Sequence, residues 1–362
     1  MYNPVIQLKA KVLKTLLLFY LFIFSGVFLI VKSPAVIKLL GEHAVVYGKP
    51  ALAAAIDLYA TADSSPSRNY YYIVLKDIGK EARLSTNKLE SLYREYMSRK
   101  SINEYISNIS NNREAAELLP FMTILAVAYA EYGAKAMQIN LHSEIPMQKG
   151  FASSAALSTA FAVALTQNMK ISEKEVIELA RIGETVFHKN EGAGKIDINA
   201  SYFGGFVEYN NGNAVRLKVK VNTSLDFVAI DTGPKLSTAE TVGHVAHLFE
   251  KDKKGTSKIL DEIERCTLNG IDALKKGNIA AFGEEMFKDH ELLKALGVST
   301  EKLDKAVMLA KKYGSPGAKL SGGGGGGIAI AINSKGVKEQ LVKSGLECIT
   351  LHVSNKGARH FR

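Results

Sequence analysis

The sequence predicts a mixed α and β protein, of the α+β class, built from two domains. A chain of 362 residues is longer than one hydrophobic core usually serves, and 47% hydrophobic with 23% charged residues is typical of a folded protein. Met137, Ile139 and Leu141 alternate with polar residues, as in a half-buried antiparallel strand. Stretches with the apolar spacing of helices lie between such strands. Each domain is therefore expected to combine helices with a sheet.

Four segments have the length and the apolar spacing of helices. They are residues 157–165, 174–187, 257–274 and 300–313. We expect Ser153 or Ser154 to cap the first of these helices. We expect the domain boundary within about ten residues of a turn-forming run at residues 210–213. The first domain is therefore expected over residues 29–212 and the second over residues 213–362.

The first 28 residues form a hydrophobic extension that contains lysines but no acidic residue. The apolar run at residues 16–31 is typical of a signal sequence or a short membrane anchor. However, it has no convincing cleavage site and leads directly into the first predicted strand. Our hypothesis is that translation starts at a non-Met codon read here as Val27, Leu29 or Ile30, so that much of residues 1–28 is absent from the natural protein. A real membrane anchor is the alternative.

The formal charge of +10 is compatible with a nucleic acid, an anionic membrane surface or a phosphorylated small molecule as partner. The lysines are scattered and no motif interleaves basic with aromatic residues, so we expect no nucleic-acid partner. Cys266 and Cys348 are the only cysteines in the sequence and are far apart, which excludes a disulfide framework and a cysteine-rich metal site. Two reduced thiols are typical of a cytoplasmic protein.

The first segment with candidate functional residues is residues 33–48, Ser-Pro-Ala-Val-Ile-Lys-Leu-Leu-Gly-Glu-His-Ala-Val-Val-Tyr-Gly. A strand-like stretch ends here in a glycine turn that presents Glu42 and His43. Polar groups at the end of a strand are placed to converge on a ligand. On its own, the segment is equally compatible with a hairpin in which His43 makes only a local hydrogen bond.

The second segment is residues 144–156, which follow a predicted strand and open an alanine-rich helix. Small residues allow an anion to approach the backbone, and the free N–H groups at a helix N-terminus favour phosphate. The hydroxyls of Ser153 and Ser154 can add contacts to phosphate or magnesium. The segment lacks the G-x-x-x-x-G-K-[ST] pattern of a P-loop, and a capped structural helix is the alternative.

The third segment is residues 317–332, in which six glycines at 322–327 are followed by the apolar strand-like stretch Ile-Ala-Ile-Ala-Ile. A flexible linker would have polar flanks, so this run is expected inside a folded domain. Such dense glycine indicates a backbone held close to a ligand.

Between the second and third segments lie three further polar candidates. Glu184 and His188 are four residues apart, on one face of a predicted helix, where a surface ion pair is the ordinary interpretation. Beside a phosphate loop, however, a carboxylate such as Glu184 can hold a divalent metal. Asp197 can take a proton from a hydroxyl, provided that a cation keeps it ionised.

In chain order, these segments resemble the motifs of the GHMP kinase superfamily over residues 29–353. Residues 41–48 are most similar to the mevalonate kinases within it. The resemblance implies a first domain like ribosomal protein S5 domain 2 and a ferredoxin-like second domain, with the site between them. It also implies ATP and Mg²⁺ as cofactors, and transfer of the ATP γ-phosphoryl group to the 5-hydroxyl of mevalonate in isoprenoid biosynthesis.

The same resemblance implies a role for individual residues. Asp197 is the implied base and Lys38 the implied catalytic lysine, while Ser154 and Glu184 are the implied magnesium ligands. The implied substrate contacts are Glu42, His43, Thr238, Gly324 and Gly325. The implied ATP loop consists of Pro146, Met147, Gln148, Lys149, Gly150, Phe151, Ala152, Ser153, Ser154, Ala155 and Ala156.

The sequence departs from the superfamily pattern in three places. Val36 stands where the pattern has its catalytic lysine, and Lys38 lies two residues further along, on the same side of a strand and about 6.6 Å away. Lys195 is the rival candidate. Gln148 and Ala152 replace glycines of the ATP loop, which requires a negative φ at Ala152. The spacing from His188 to Asp197 is also longer than the common form by about two residues.

Other GHMP kinases remain open as alternatives, such as a phosphomevalonate kinase or a mevalonate 3-kinase, and so does a catalytically silent sensor with the same fold. The expected partners are mevalonate and ATP. We expect no membrane partner, and the sequence is compatible with a homodimer.

Overall fold

The computed structural model describes residues 29–110, 116–147, 149–219, 225–234 and 236–361. The extension at residues 1–28 and Gln148 of the predicted ATP loop lie outside the described residues, so the expectations for them stay predictions. Among the described residues, no helix is both long enough and apolar enough to cross a membrane.

The strands fall into one group before residue 217 and a second group after residue 226, with the last strand at the end of the described chain. They are β1 (Leu29–Leu40), β2 (Ala51–Pro66), β3 (Tyr71–Leu75), β4 (Lys80–Leu84), β5 (Met137–Ser143), β6 (Phe206–Asn210), β7 (Asn213–Arg216), β8 (Phe227–Asp231), β9 (Ala318–Ser321), β10 (Ile328–Ile332), β11 (Cys348–Leu351) and β12 (Arg359–Phe361).

The helices lie between these strands, with short 3₁₀ turns at Ala44–Tyr47 and Lys76–Ile78. They are α1 (Thr86–Ser98), α2 (Ile102–Ser110), α3 (Leu119–Tyr132), α4 (Ser153–Thr166), α5 (Glu173–His188), α6 (Lys195–Phe203), α7 (Thr238–Lys251), α8 (Lys253–Lys276), α9 (Ile279–Ala295), α10 (Glu301–Lys312) and α11 (Val337–Lys343).

The first sheet of the described chain has eight strands in the order β12-β1-β2-β5-β3-β4, with β6 paired to β2 and β7 to β6. Its β3–β5 pairing is parallel, whereas β5 pairs with β2 in the expected antiparallel sense. Helix α4 is apolar on almost every side, as a helix enclosed by protein must be, and it packs against β1 and β2. This packing places the N-terminus of α4, and with it the predicted ATP loop, beside β1.

The second sheet is antiparallel and has four strands in the order β11-β8-β10-β9. Helices connect β8 to β9 and β10 to β11, while β9 and β10 form a hairpin around the glycine run. This βαββαβ arrangement is the ferredoxin-like pattern. Both the α+β class and the ferredoxin-like second domain are therefore confirmed.

The turn at residues 210–213 is a hairpin turn between β6 and β7, which pair within the first sheet. The expected boundary after residue 212 therefore falls inside a hairpin of the first sheet, and the second sheet begins only at β8. At the end of the described chain, β12 pairs with β1, so the chain returns to the first sheet.

The four predicted helices are confirmed as α4, α5, α8 and α10, each within a few residues of its expected bounds. The predicted serine cap of α4 is wrong. Ala152 occupies the N-cap position, and no side chain caps this end of the helix. The main-chain N–H groups of its first turn thus remain available to a ligand.

Between the two sheets lies a shared apolar core. Ile37 and Leu39 of β1 belong to the same buried cluster as Phe227 of β8 and Ile330 of β10. Burial of this common surface keeps the end of β1 against the second domain. The polar candidates at and beyond that end therefore face residues of both domains.

Candidate active site

Lys38 and Asp197 form the ion pair at the centre of the site. Nζ of Lys38 lies 2.9 Å from Oδ1 and 2.9 Å from Oδ2 of Asp197, and the two side chains are 26% and 15% exposed. Burial lowers the pKa of the Lys38 ammonium, but the Asp197 carboxylate outweighs this effect, so the pKa is raised above its ordinary value. The nearby charges of Glu42 and Glu184 act in the same direction. Lys38 is therefore a cation throughout the neutral pH range.

The displaced lysine reaches the site as the two-residue period of a strand predicts. Val36, at the position of the pattern's lysine, is buried in an apolar cluster with Ile196 and Ala200 of α6. Lys38, one step further along the same side of β1, meets Asp197 in the first turn of α6. The rival Lys195 is exposed. The structure thus brings Lys38 to Asp197.

Glu184 and His188 form more than a surface pair. Glu184 is 1% exposed, its Oε2 lies 3.3 Å from Nε2 of His188, and its Oε1 is buried with no hydrogen-bond partner in the described part of the chain. Ser154 Oγ lies 3.4 Å from the same imidazole nitrogen. The hydrogen bond to Glu184 raises the pKa of His188. Ser154 and Glu184, on two different helices, therefore share one neighbour, the His188 imidazole.

This arrangement fits a magnesium ion. A buried carboxylate oxygen without a partner favours a cation, and the serine hydroxyl supplies a second oxygen. The described residues contain no group of three or more His, Cys, Asp or Glu side chains that could hold a metal. Magnesium usually takes one or two protein ligands and completes its shell with phosphate oxygens and water. Glu184 and Ser154 are thus suited to Mg²⁺ together with a nucleotide.

The longer spacing between His188 and Asp197 is accommodated by a glycine. Gly194 has a φ of +76°, and a Cβ at this position would lie 2.6 Å from Cβ of Glu184. The connection between α5 and α6 can therefore pass directly over Glu184 only because residue 194 has no side chain.

The predicted ATP loop precedes α4 and lies against β1. The Phe151 carbonyl accepts a 3.0 Å hydrogen bond from the Val36 N–H. Gly150 has a φ of +100°, in the region that favours glycine. The expectation of a negative φ at Ala152 is wrong, because its φ is +53°. Ala152 therefore keeps the left-handed conformation that glycine would adopt there, at a cost of about 1–2 kcal/mol.

The ATP loop is also tied to the second domain. Nζ of Lys149 makes an ion pair with Oδ2 of Asp231, at the end of β8. The other carboxylate oxygen of Asp231 accepts a 2.8 Å hydrogen bond from the Gly233 N–H. This contact places a lysine of the loop at the interface between the two domains.

Glu42 is buried in an ion cluster with two residues of the second domain. Nζ of Lys319, on β9, donates to Oε1 of Glu42 and lies 3.4 Å from Oδ2 of Asp289, on α9. It also donates a 2.7 Å hydrogen bond to the Leu320 carbonyl. Lys319 and Asp289 are fully buried, and burial raises the pKa of the Asp289 carboxyl to about 7. The buried ammonium of Lys319 thus pairs with two carboxyl groups.

His43 follows Glu42 and contacts the glycine run. Its φ is +59°, an uncommon value for a residue with a side chain. Nε2 of its buried ring lies 2.9 Å from the Gly323 carbonyl oxygen, which can only accept, so Nε2 carries the proton. Burial lowers the pKa of His43, which favours the neutral ring. Its Nδ1 is then an acceptor.

Thr238 also lies close to the glycine run. A Cβ at Gly323 would lie 3.7 Å from Cα of Thr238 and 2.8 Å from Oγ1 of the buried Thr241. Thr238 itself is exposed at the start of α7. The structure therefore brings His43 and Thr238 to the same glycine from opposite domains.

Gly324 and Gly325 lie against atoms of this chain. A Cβ at Gly324 would meet the Val298 carbonyl oxygen at 2.1 Å, and one at Gly325 would meet the Leu236 side chain at 2.9 Å. At these two positions the backbone lies close to other protein atoms. A Cβ at Gly322 would have no atom of the described residues within 4 Å.

Three interacting residues were not identified from the sequence. They are Lys319, Asp289 and Ser321. Lys319 and Ser321 alternate with apolar residues on β9, a pattern that indicates a polar face on a buried strand. Asp289 lies on a helix of mixed composition and had no comparable signal.

The chain matches two family models and several known proteins along much of its length. The models for the GHMP kinases N terminal domain and the GHMP kinases C terminal match residues 121–205 and 271–346. "Mevalonate kinase" of Pyrococcus abyssi is 33% identical over 83% of this chain and 87% of its own length. The Pyrococcus horikoshii protein of that name is 31% identical, over 92% and 97%. The crystal structure of the Methanococcus jannaschii mevalonate kinase has a TM-score of 0.72 at 27% identity, over 91% of this chain and 99% of that one.

We predict that Lys319→Met lowers the free energy of unfolding by about 3–5 kcal/mol at pH 8, because two buried carboxyl groups lose the ammonium with which both pair. Lys49→Met is the matched control, since Lys49 pairs with two more exposed carboxylates, Asp261 and Glu264. Its expected cost is at most about 1 kcal/mol. Urea unfolding measures the free energy of unfolding of both variants, and an equal decrease in the two would contradict the prediction.

A second prediction concerns pH. Since the pKa of Asp289 is raised from 3.8 to about 7, the folded state holds a proton between these values that the unfolded state releases. The contribution of Asp289 to stability therefore falls as pH rises through that window. Asp289→Asn should be more stable, relative to wild type, at pH 8 than at pH 5. A relative stability that is constant between these pH values, in urea titrations, would refute the assignment.

Proposed function

Because this chain belongs to the mevalonate kinases of the GHMP kinase superfamily, we propose that it transfers the γ-phosphoryl group of ATP to the 5-hydroxyl of mevalonate. Within the site, the observation that carries this proposal is the Lys38–Asp197 pair. It places a carboxylate and a permanent cation side by side, close to a helix N-terminus suited to phosphate.

In the proposed reaction, Asp197 accepts the proton of the attacking 5-hydroxyl. Lys38, 2.9 Å away, neutralises the carboxylate before the transfer and remains beside the reacting groups as charge develops. Phosphoryl transfer depends mainly on alignment and on neutralisation of charge, so a fixed cation next to the base meets both needs.

The N–H groups at the start of α4 and the loop before it would hold the ATP phosphates. Glu184 and Ser154 would hold Mg²⁺, which neutralises phosphate charge when it is bound. The buried Oε1 of Glu184 and the absence of a side-chain cap on α4 support these two assignments.

On the mevalonate side, we assign direct contacts to His43 and Thr238, which approach Gly323 from different domains. The acceptor Nδ1 of a neutral His43 and the hydroxyl of Thr238 suit a substrate that carries hydroxyl groups. Glu42, expected at the substrate, is buried against Lys319, and we assign it to holding the His43 turn. Gly324 and Gly325 would contribute main-chain groups only.

The free thiols of Cys266 and Cys348 and the use of ATP support a cytoplasmic enzyme. The homodimer stays a prediction.

The proposed reaction is tested with the full chain, ATP, Mg²⁺ and mevalonate, with the position of the new phosphate read by NMR. Phosphomevalonate, galactose and homoserine are offered in parallel. A phosphate on the 5-oxygen of mevalonate supports the proposal. Turnover of another substrate alone would move the assignment to a different GHMP kinase, and no turnover of any would favour the sensor.

We predict that Asp197→Asn lowers kcat by about 10²- to 10⁴-fold, the usual contribution of a positioned general base. ATP binding should persist, because the phosphate loop and Glu184 are unchanged. Steady-state kinetics and titration with a fluorescent ATP analogue measure the two effects, and circular dichroism confirms folding. Wild-type turnover by a folded variant would disprove the role of Asp197.

The two candidate lysines are separated by matched variants. Lys38→Met should lower kcat strongly, because it leaves the largely buried Asp197 without the cation that pairs with it. Lys195→Met removes an exposed side chain two residues before Asp197 and should leave kcat within about twofold, as surface substitutions usually do. A large loss of kcat with Lys195→Met alone would reverse the assignment.

A further inference from the structure

Beyond residue 32, the strand that carries Lys38 has one edge along which no other strand pairs among the described residues. Along this edge β12 pairs only with residues 30–32 of β1, while β2 follows the opposite edge to its end. The N–H and C=O groups of alternate residues after that point need other partners, because buried main-chain groups are rarely left unpaired. At Val36 the partner is the Phe151 carbonyl of the ATP loop.

At Lys38 the partner is a side chain of the second domain. Ser321 Oγ accepts a 3.1 Å hydrogen bond from the Lys38 N–H and donates a 3.0 Å hydrogen bond to the Lys38 carbonyl. Ser321 is 4% exposed and is the last residue of β9, immediately before the glycine run. One hydroxyl thus satisfies both main-chain groups of Lys38, as a paired strand would.

From this geometry we propose that Ser321 is a positioning residue that fixes the main chain of Lys38 and so aims its ammonium at Asp197. This inference rests on the proposed function, in which the Lys38–Asp197 pair acts on the substrate hydroxyl. Ser321 acts through Lys38 and has no assigned contact with substrate.

Lys38 needs such support because the β1–β2 pairing is irregular there. The register shifts between Lys38 and Leu40, and Gly41 follows with a φ of +88°. The main-chain hydrogen bonds between β1 and β2 therefore restrain Lys38 less than they restrain residues in regular register. A hydroxyl bound to both of its main-chain groups removes this freedom.

The remainder of β9 supports the assignment. Lys319 lies two residues before Ser321, on the same face of the strand, and its ammonium binds Glu42 just beyond the end of β1. A Cβ at Gly150 would lie 3.7 Å from the Ser321 carbonyl, so the ATP loop also borders this strand end. Both polar residues of β9 therefore hold the same short stretch of the first domain.

The test compares Ser321→Ala with Ser321→Thr and with Ser315→Ala. Ser315 is a matched control because it is also buried, and its hydroxyl makes two 2.8 Å hydrogen bonds to carbonyls within the second domain, away from β1. Thermal unfolding is recorded for each variant, and kinetics are measured well below every unfolding midpoint.

We expect Ser321→Ala to lower kcat about 10- to 100-fold, as small misplacements of catalytic groups do, with the KM for ATP within about twofold of wild type. Ser321→Thr keeps the hydroxyl and should restore most of kcat. Ser315→Ala should lose stability but keep kcat. An unchanged kcat in Ser321→Ala, or an equal loss of kcat in Ser315→Ala, would overturn the proposal.

A second measurement does not depend on activity. Hydrogen exchange of a peptide that contains Lys38 should be about fivefold faster or more in Ser321→Ala, because the acceptor of its N–H is lost, and unchanged in Ser315→Ala. If wild type fails to phosphorylate mevalonate, the proposed function is refuted. Hydrogen exchange then tests the contact between Ser321 and the Lys38 main chain by itself. Unchanged exchange in Ser321→Ala would then overturn the role of Ser321.

Discussion

The open edge of β1 between residues 33 and 40 is the constraint on which the site depends. Its main-chain groups are buried and must be paired, yet β12 stops after three residues. The ATP loop fills one position through Phe151, and the second domain fills another through Ser321. Because both segments bind alternate residues of one strand, their spacing is set by the strand itself. The helix proposed to bind phosphate, the proposed catalytic lysine and the glycine run are thereby fixed relative to one another.

Apolar burial and charge have different parts in joining the domains. The core shared by β1 and the second sheet supplies a non-directional attraction that would allow more than one docking geometry. The buried cluster of Glu42, Lys319 and Asp289 is costly to desolvate, so it is weak evidence of net stabilisation. The cluster instead specifies how the two domains dock, because a displaced interface would leave two carboxyl groups buried without a cation. We infer that charge selects the geometry that the apolar core makes favourable.

The sequence was informative wherever function depends on local pattern. The strand leading to Glu42, the helix after Ser153 and the folded glycine run are all local features, and all three were predicted. The period of two also predicted that Lys38 could replace a lysine at Val36. The left-handed Ala152 was missed because the surrounding loop, held by Phe151, overrides the preference of alanine. The partners of Lys319 were missed because Glu42 is 277 residues away, and no local pattern encodes a contact at that range.

The displaced lysine shows what the site requires of its sequence. Asp197 lies in the first turn of α6, where the positive end of the helix favours a carboxylate. A cation that pairs with it can come from any residue on the facing side of β1, provided that its main chain is held. Val36 is fixed by Phe151, and Lys38 is fixed by Ser321. Both positions are therefore anchored, so the lysine can occupy the second while a valine at the first packs against α6. The position of the β1 main chain, more than the identity of the residue at one position, thus determines where the ammonium that pairs with Asp197 can lie.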